Sequence, residues 1–291
     1  MEQWIAKADV LLEALPYIQS CHDKVLVIKF GGSSMKEPER VQKILQDIVF
    51  MRFVGMKPLI VHGGGPAINA TMKQKGLKPL FFEGLRVTDK ETMDIVANVL
   101  INQINADLVQ TLSSLGAKAQ GLFSKEDPFI QTKKIQFPQK GTSMPDIGYV
   151  GEVDKVNSSK INKIMEQGFI PVVPPIGLGS DGQPYNINGD TVAGELAVAL
   201  KAQKLVYLTD VQGVLKKRDD PSSLVKTMNH LDVKSYIDKG IIQGGMIPKI
   251  RSCLKAIQNG TQKGHMIDSR IEHSLLLEIF TDEGIGTELI L

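Results

Sequence analysis

The chain has 291 residues, of which 42% are hydrophobic, so it can bury a large core as one α/β unit or as two lobes. Its net charge of +2, without a basic run, argues against a nucleic-acid partner, and no apolar stretch reaches the ~18 residues of a membrane span. Because cysteines occur only at Cys21 and Cys253, we predict no disulfide scaffold and a cytoplasmic location.

The N-terminal segment is predicted to form an amphipathic helix. Apolar residues that include Trp4, Leu11 and Ile18 fall on one helical stripe, and Pro16 is expected to kink the last turn. By itself, such a stripe is typical of a helix that packs on its own domain.

The next predicted element is a buried strand from Val25 to Phe30, which carries Lys29 directly before Gly31 and Gly32. A lysine in an apolar strand must reach solvent at the strand end or meet an anion, and phosphate is the natural anion. The glycines allow backbone N–H groups to approach a ligand without a Cβ in the way. For this motif alone, a solvated strand-end lysine is the alternative.

A second glycine turn follows a second apolar strand. After Pro58–Val61 the chain continues with His62, three glycines that include Gly64 and Gly65, and a predicted helix. A helix N-terminus has unpaired N–H groups and a partial positive charge, which suits a phosphate or a carboxylate. The chain has neither a Walker loop nor the dinucleotide-binding glycine fingerprint, and a plain tight turn is the alternative.

Arg86 lies just before a long predicted helix that Thr88 or Asp89 can cap. Its planar guanidinium binds a carboxylate through two hydrogen bonds and stays charged at physiological pH, so Arg86 is a candidate substrate anchor. A surface ion pair is the alternative for any single arginine.

Amides and a carboxylate cluster before an alanine-rich predicted helix. In an extended segment Asn186 and Asn188 point to one side, and Asp190 is predicted to be the helix N-cap. Farther on, Lys249 falls near the N-terminus of another predicted helix, where a cation is disfavoured unless an anionic ligand relieves the repulsion. A capped helix without a ligand is the alternative for the first segment.

Predicted strands alternate with predicted helices along the chain. Strands are predicted near residues 25–30, 57–62, 117–122, 169–174 and 204–209, and helices near 38–54, 66–76, 89–115, 158–168, 190–202 and 245–259. Such alternation predicts an α/β fold, a three-layer α-β-α sandwich around an open and mainly parallel sheet.

The motifs VIKFGGS, IVHGGGPAIN, GLRVTD, YNINGD, LTDVQGV and GGMIPK, in this order, resemble the amino acid kinase family and, within it, the acetylglutamate kinases. The resemblance spans essentially residues 25–291. It implies the amino acid kinase fold and transfer of the γ-phosphoryl of ATP to the side-chain carboxylate of N-acetyl-L-glutamate, in arginine biosynthesis. Because a carboxylate is already ionised, this reaction needs no general base, only positive charge that stabilises the transition state.

The resemblance also implies roles for individual residues. Lys29 and Lys249 would be catalytic and oriented by Asp190; Gly64, Gly65, Arg86 and Asn186 would bind the acceptor; and Gly31, Gly32, Thr209, Asp210 and Gly213 would bind the nucleotide. Mg²⁺ would be held mainly by the ATP phosphates. No histidine lies at metal-site spacing from Cys, Asp or Glu, so we predict no metal site in the protein.

Arginine-inhibited acetylglutamate kinases carry a kinked N-terminal helix that links dimers into a hexamer, and a C-terminal segment similar to HSLLLE and DEGIGT of this chain binds L-arginine in them. Candidate arginine-binding residues are Tyr17, His273, Glu278 and Glu283, because a guanidinium needs a carboxylate and the ligand's own carboxylate needs donors. The resemblance implies feedback inhibition by L-arginine and a homo-oligomer, either a dimer or a trimer of dimers. A PII-type signalling protein is a further candidate partner.

The family resemblance implies three regions. Residues 1–22 would form an oligomerisation and regulatory helix, 23–178 a dimerising lobe that binds the acceptor, and 179–291 a lobe that binds ATP and contains the arginine site. The glycine- and proline-rich segment 174–184 is the predicted seam. Two alternatives are a sibling kinase acting on another carboxylate and a catalytically silent arginine-binding protein with the same fold.

Overall fold

Strands and helices alternate along residues 1–31, 35, 37–137, 146–218 and 220–291, which are the residues that this computed structural model describes. The strands are β1 (Val25–Phe30), β2 (Lys57–His62), β3 (Phe81–Phe82), β4 (Leu85–Arg86), β5 (Ala119–Gly121), β6 (Ile130–Lys134), β7 (Val150–Val156), β8 (Ile170–Val173), β9 (Ile176–Gly179), β10 (Pro184–Ile187), β11 (Lys204–Thr209), β12 (Thr227–Met228), β13 (Lys263–Asp268) and β14 (Thr287–Leu289). The helices are α1 (Glu2–Glu13), α2 (Leu15–Cys21), α3 (Pro38–Phe53), α4 (Gly65–Gln74), α5 (Lys90–Ala97), α6 (Ala106–Ser114), α7 (Ser158–Glu166), α8 (Gly189–Ala199), α9 (His230–Asp238), α10 (Met246–Gln258) and α11 (Ser274–Ile279). A π-helical segment, Asn98–Asn105, joins α5 to α6, and Pro221–Ser223 form one 3₁₀ turn.

The central sheet has the strand order β12-β14-β13-β11-β1-β2-β8-β5. Every neighbouring pair in it is parallel except β13 with β14, so the predicted mainly parallel sheet is confirmed. Lys29 on β1 stands in register with Val61 on β2 and Tyr207 on β11. Because parallel strands end at the same edge, the segments that follow β1, β2 and β11 lie close together there.

Two hydrophobic clusters cover the two faces of this sheet, which gives the predicted three layers. On one face Val27 packs with Leu196 of α8, and on the other Ile28 packs with Ile48 of α3. Alternate residues of a strand point to the same face, so Lys29 shares the face of Val27 and points towards the α8 side.

A small closed sheet of order β10-β7-β6-β9 and the hairpin β3–β4 are absent from the sequence prediction. Most of their strands have two to five residues, and β7, with seven, contains exposed charged residues, so none has the continuous apolar run that identifies β1 or β11. Strand β9 falls within the predicted seam 174–184, and the division into lobes stays a prediction.

The N-terminal helix is bent, as predicted. Ala14 separates α1 from α2, and Pro16 occupies the first turn of α2, where its missing N–H group is tolerated. Trp4 and Leu11 are each 68% exposed, so part of the apolar stripe of α1 is uncovered in the single chain. None of the helices described above is long and apolar enough to cross a membrane.

Candidate active site

Two lysines and an aspartate from three elements meet at the carboxyl edge of the sheet. Nζ of Lys29, on β1, lies 2.9 Å from Oδ1 of Asp190 on α8. Nζ of Lys249, in the first turn of α10, lies 2.5 Å from Oδ2 of the same carboxylate. The structure thus brings the three predicted catalytic residues together, while their roles in a reaction stay a prediction.

Burial and charge act in opposite directions on this cluster. Burial lowers the pKa of Lys29, the carboxylate of Asp190 acts to raise it, and Lys249 lowers it further. Burial alone would raise the pKa of Asp190, but the two lysines outweigh it and the pKa lies below its ordinary value. The aspartate is therefore ionised at neutral pH.

The predicted N-cap of α8 is wrong by two residues. Oδ1 of Asn188 accepts hydrogen bonds from the N–H groups of Asp190 at 2.8 Å and Thr191 at 3.2 Å, so Asn188 is the cap. The extended backbone of Asn188 places its side chain over the first turn. The carboxylate of Asp190 is consequently free to bind the lysines.

A cavity of about 370 Å³ opens beside the lysine–aspartate cluster. Its walls include the predicted residues Lys29, Gly64, Gly65, Arg86, Asn186 and Asp190. Lys249 does not line this cavity and contacts Asp190 from α10. The amide of Asn186 donates to Oγ1 of Thr88 at 3.3 Å, which orients it. This cavity is the candidate acceptor site.

Arg86 lies in this cavity without an ion-pair partner among the residues described. Nη2 donates to Oδ1 of Asn69 at 2.6 Å, and the guanidinium stacks 4.9 Å from the ring centre of Phe81. Its side chain is mostly buried, which lowers its pKa. A buried guanidinium that lacks a protein carboxylate is suited to bind the carboxylate of a ligand.

Gly64 fits closely against two side chains, which would have to shift to admit a Cβ. A Cβ there would lie 2.3 Å from Cδ2 of Leu100 and 2.9 Å from Cδ1 of Ile104, both in the π-helical segment. The glycine turn therefore packs directly against that segment, with its other side open to the cavity.

His62 is a scaffold residue of the glycine turn. Its Nδ1 donates to the carbonyl of Gly63 at 3.0 Å, and its Nε2 accepts from Nδ2 of Asn105 at 3.1 Å. Burial lowers the pKa of His62 to about 4, so the ring is neutral. Asn105 also donates to the carbonyl of Val172 at 3.0 Å and ties the turn to β8. Sequence reasoning missed Asn105, because an asparagine in a helical pattern carries no sign of such a contact.

The predicted nucleotide-binding residues lie near the carboxyl ends of β1 and β11. Oγ1 of Thr209 lies 2.7 Å from the carbonyl oxygen of Val211 and 3.2 Å from that of Ile267, and its single proton is shared between them, which gives Thr209 a role within the fold. Asp210 is exposed. Gly213 has φ +146° and leaves no room for a Cβ beside Thr287. Gly31 follows β1 directly, and Gly32 lies outside the described residues.

A second cavity, of about 310 Å³, lies between α2 and the C-terminal segment. Three of the four candidate arginine-binding residues, Tyr17, Glu278 and Glu283, line it. It also contains residues that were not predicted: the lysines Lys204, Lys226 and Lys263, the carboxylates Asp282 and Glu288, and His265. Positively and negatively charged side chains therefore line the same cavity.

His265 and Glu278 form a buried pair in this second cavity, with Nδ1 of the histidine donating to Oε1 at 2.7 Å. Oε2 of Glu278 accepts from the N–H groups of Ile285 at 2.7 Å and Gly286 at 3.0 Å. Burial raises the pKa of Glu278, but these donors outweigh it and the pKa is lowered. Both carboxylate oxygens are thus already satisfied within the chain.

The predicted arginine-binding residue His273 is not among the residues that line the second cavity. Its Nδ1 lies 2.6 Å from Oδ1 of Asp47 on α3. A left-handed backbone, with φ +55°, precedes α11 at this residue and directs the ring to α3.

The amino acid kinase family model matches residues 24–268 of the chain, which contain the lysine–aspartate cluster and Arg86. Over 283 residues the chain is 49% identical to the acetylglutamate kinase of Thermoanaerobacter pseudethanolicus, which covers 97% of this chain and 93% of that protein. Over 290 residues it is 47% identical to the acetylglutamate kinase of Heliobacterium modesticaldum, with 98% of each covered.

Among solved structures, N-acetylglutamate synthase from Neisseria gonorrhoeae, complexed with coenzyme A and N-acetyl-glutamate, aligns with a TM-score of 0.84. The alignment covers 98% of this chain but 63% of that one, so this chain spans less than two thirds of its length. At 24% identity, this likeness shows the fold alone.

Proposed function

Because the chain belongs to the amino acid kinase family and is a phosphotransferase, we propose that it transfers the γ-phosphoryl of ATP to the side-chain carboxylate of N-acetyl-L-glutamate. The products are N-acetyl-L-glutamyl 5-phosphate and ADP. One observation carries the choice of acceptor: a single cavity holds Arg86, without a carboxylate partner among the described residues, together with the Lys29–Asp190 pair. A substrate with two carboxylates can place one at each.

At the substrate end of the cavity, Arg86 binds the α-carboxylate through its guanidinium. Asn69 and Phe81 hold the guanidinium in place through the contacts given above. The amide of Asn186 and the backbone at Gly64 and Gly65 contact the acetylated amino group and the reacting carboxylate. These groups fix the acceptor so that it needs little rearrangement before reaction.

At the reacting end, Lys29 and Lys249 stabilise the charge that develops on the transferred phosphoryl group and on ADP. Asp190 holds both ammonium groups in position and lowers the repulsion between them. An ionised acceptor carboxylate attacks without loss of a proton, so no side chain acts as a base. Positioning and electrostatic stabilisation therefore account for the chemistry.

Nucleotide binding is proposed at the segments after β1 and β11, with the backbone N–H of Gly31 facing phosphate oxygens and Asp210 and Gly213 near the nucleoside. Mg²⁺, when bound, neutralises phosphate charge. Within the described ranges no group of three or more His, Cys, Asp or Glu is placed to hold a metal ion. Under this proposal residues 179–291, which begin within the predicted seam, form the ATP lobe.

The test is ATP-dependent acyl phosphate formation, trapped with hydroxylamine as the hydroxamate. N-acetyl-L-glutamate, L-glutamate and L-aspartate are compared as acceptors at equal concentration. We expect turnover with the acetylated acceptor only. Turnover with another acceptor would support the sibling-kinase alternative, and binding of L-arginine without any turnover would support the silent binding protein.

We further propose that L-arginine inhibits the enzyme by binding in the second cavity. The mixed charge there supports a ligand with a cationic side chain and a zwitterionic backbone: Lys204 and Lys226 suit its carboxylate, and Glu283 suits its guanidinium. Glu278 acts indirectly, because both of its oxygens bind within the chain. Tyr17, whose hydroxyl donates to Asp282, connects the site to α2.

Inhibition is measured as the turnover rate against L-arginine concentration. Glu283→Gln is expected to raise the half-inhibitory concentration at least tenfold, because it removes the charge that faces the guanidinium, while Glu126→Gln, at an exposed site elsewhere, leaves it unchanged. Unchanged turnover at saturating L-arginine would refute the inhibition.

The exposed stripe of α1 supports a homo-oligomer in which this helix packs against a second copy. We expect a dimer or a trimer of dimers, measured as molar mass by light scattering. For the trimer of dimers, deletion of residues 1–22 should reduce the mass to that of the dimer, and a deleted chain that stays hexameric would contradict this role of α1.

A further inference from the structure

We propose that Tyr207 and Ser252 are positioning residues of the reaction, which hold the backbone of Asp190 so that its carboxylate stays between the two lysines. This inference rests on the proposed phosphoryl transfer. Neither residue was singled out by the sequence motifs, and neither is expected to touch a substrate.

The backbone carbonyl oxygen of Asp190 accepts hydrogen bonds from two hydroxyl groups, which belong to different secondary-structure elements. The phenol of Tyr207, on β11, donates to it at 3.1 Å, and Oγ of Ser252, on α10, donates at 2.8 Å. Tyr207 is fully buried, so its hydroxyl has no bulk water to bind. Two side-chain donors on one buried carbonyl restrain its movement along and across the helix.

The two hydroxyl groups lie close to the two lysines in the fold. Ser252 is on α10, as Lys249 is, and Tyr207 is on β11, the strand next to that of Lys29. Tyr207 stands in register beside Lys29, so both side chains point to the same face of the sheet. Ser252 follows Lys249 by one helical turn, so both lie on the same face of α10. The sheet and α10 therefore each hold Asp190 twice, once by its carboxylate and once by its carbonyl.

Gly194 allows α10 to approach α8 this closely. A Cβ at Gly194, on the next turn of α8, would lie 2.2 Å from Oγ of Ser252 and 3.1 Å from its carbonyl oxygen. The glycine thus sets the spacing at which the hydroxyl of Ser252 reaches the carbonyl of Asp190.

The geometry explains why such restraint matters. The two carboxylate oxygens of Asp190 are directed to different lysines, so a rotation of the first turn of α8 would lengthen at least one of the two contacts. A lysine that is misplaced by a fraction of an ångström stabilises the transition state less, while ground-state binding by Arg86 is unaffected.

The test uses Tyr207→Phe and Ser252→Ala, each of which removes a single oxygen atom. Turnover of the unaltered chain with N-acetyl-L-glutamate is established first, so a failure of the proposed function is recognised before any variant is judged. We expect kcat to fall about fivefold to twentyfold in each variant, with KM for both substrates within twofold. The melting temperature is recorded to show that each variant is folded.

Ser113→Ala is the matched control, because Oγ of Ser113 also donates to a helical carbonyl, that of Val109, at 2.8 Å but lies on α6. It should leave kcat unchanged. Ser252→Thr keeps the hydroxyl and should recover kcat to within threefold of the unaltered chain. The proposal would be overturned by a normal kcat in both Tyr207→Phe and Ser252→Ala, or by a parallel loss of kcat and substrate affinity. A folded Ser252→Thr variant that does not recover kcat would also overturn it.

Discussion

Replacement of Asp190 by asparagine isolates the charge at the centre of the site. The variant Asp190→Asn keeps the size of the side chain but leaves Lys29 and Lys249 facing one another without a negative charge. Neutralising one partner of a buried ion pair destabilises a protein by about 3–5 kcal/mol. We expect the lower end, about 3 kcal/mol, because the side chain of Lys249 is 24% exposed and remains partly hydrated.

For a chain of this size, that loss corresponds to a melting temperature lower by roughly 5 °C. Turnover should fall by about 10²–10³-fold, because the lysines lose their fixed positions in the transition state. The effect on KM for N-acetyl-L-glutamate should be small, since Arg86 is unchanged.

The stability deficit of Asp190→Asn should also depend on pH. Burial already lowers the pKa of Lys29, and loss of the carboxylate removes the attraction that opposes this shift. The unfolded chain then binds the proton more tightly than the folded chain, so the stability of the variant rises with pH above the folded pKa of Lys29 and up to its unfolded value of 10.5. We expect the deficit to be smaller at pH 9 than at pH 6.

Thermal and urea unfolding at both pH values measure this prediction, together with steady-state kinetics. The control is Asp94→Asn, which breaks an exposed ion pair with Lys90 and should change stability by less than about 1 kcal/mol. An Asp190→Asn protein that is as stable and as active as the unaltered chain would refute the electrostatic reasoning about the site.

Three further changes test other parts of the site. Arg86→Ala should raise KM for N-acetyl-L-glutamate about 10²-fold, because truncating a charged hydrogen-bonding partner loses about 2–3 kcal/mol, and should leave KM for ATP unchanged. An equal change in the two KM values would contradict an acceptor-specific role. Gly64→Ala should destabilise the fold by about 1–3 kcal/mol in urea unfolding, because its Cβ would overlap Leu100 and Ile104; an unchanged midpoint would contradict this. The pKa of His62 is about 4 in the folded chain and 6.5 in the unfolded chain, so stability falls as pH falls from 6.5 towards 4. In an NMR titration the midpoint of its ring should lie near pH 4, and a midpoint near 6.5 would contradict its burial.

The sequence predicts best those strands that are buried on both faces of the sheet, because burial on both faces requires a continuous apolar run. Strands β1 and β11 are continuous apolar runs, because helices cover both faces of the parallel sheet, and both were predicted with their observed bounds. Strand β13 lies beside β11, yet its sequence KGHMID contains polar residues that obscure the pattern. His265 within it is tolerated in the core because it pairs with Glu278.

Site residues could be predicted from the sequence when a charged side chain stands out within an apolar run or beside a glycine turn. Lys29 and Arg86 stand out in this way, and the structure places both in one cavity. Tyr207 does not, because a tyrosine in a buried strand resembles any other core residue. His273 lies in a recognisable motif, but its ring contacts Asp47, a contact that the motif did not indicate.

The charge of the cluster bears on which substrates suit it. Lys29 and Lys249 carry two positive charges against the single negative charge of Asp190, so one positive charge is left uncompensated within the cluster. Arg86 adds another in the adjoining cavity. Partly buried positive charge is unfavourable until an anion arrives, and a carboxylate acceptor with a nucleotide phosphate supplies anions at both places. A neutral acceptor, such as an alcohol, would leave Arg86 unpaired and lose affinity on that account, so the arrangement selects for a dicarboxylate before any contact with the acetyl group is considered.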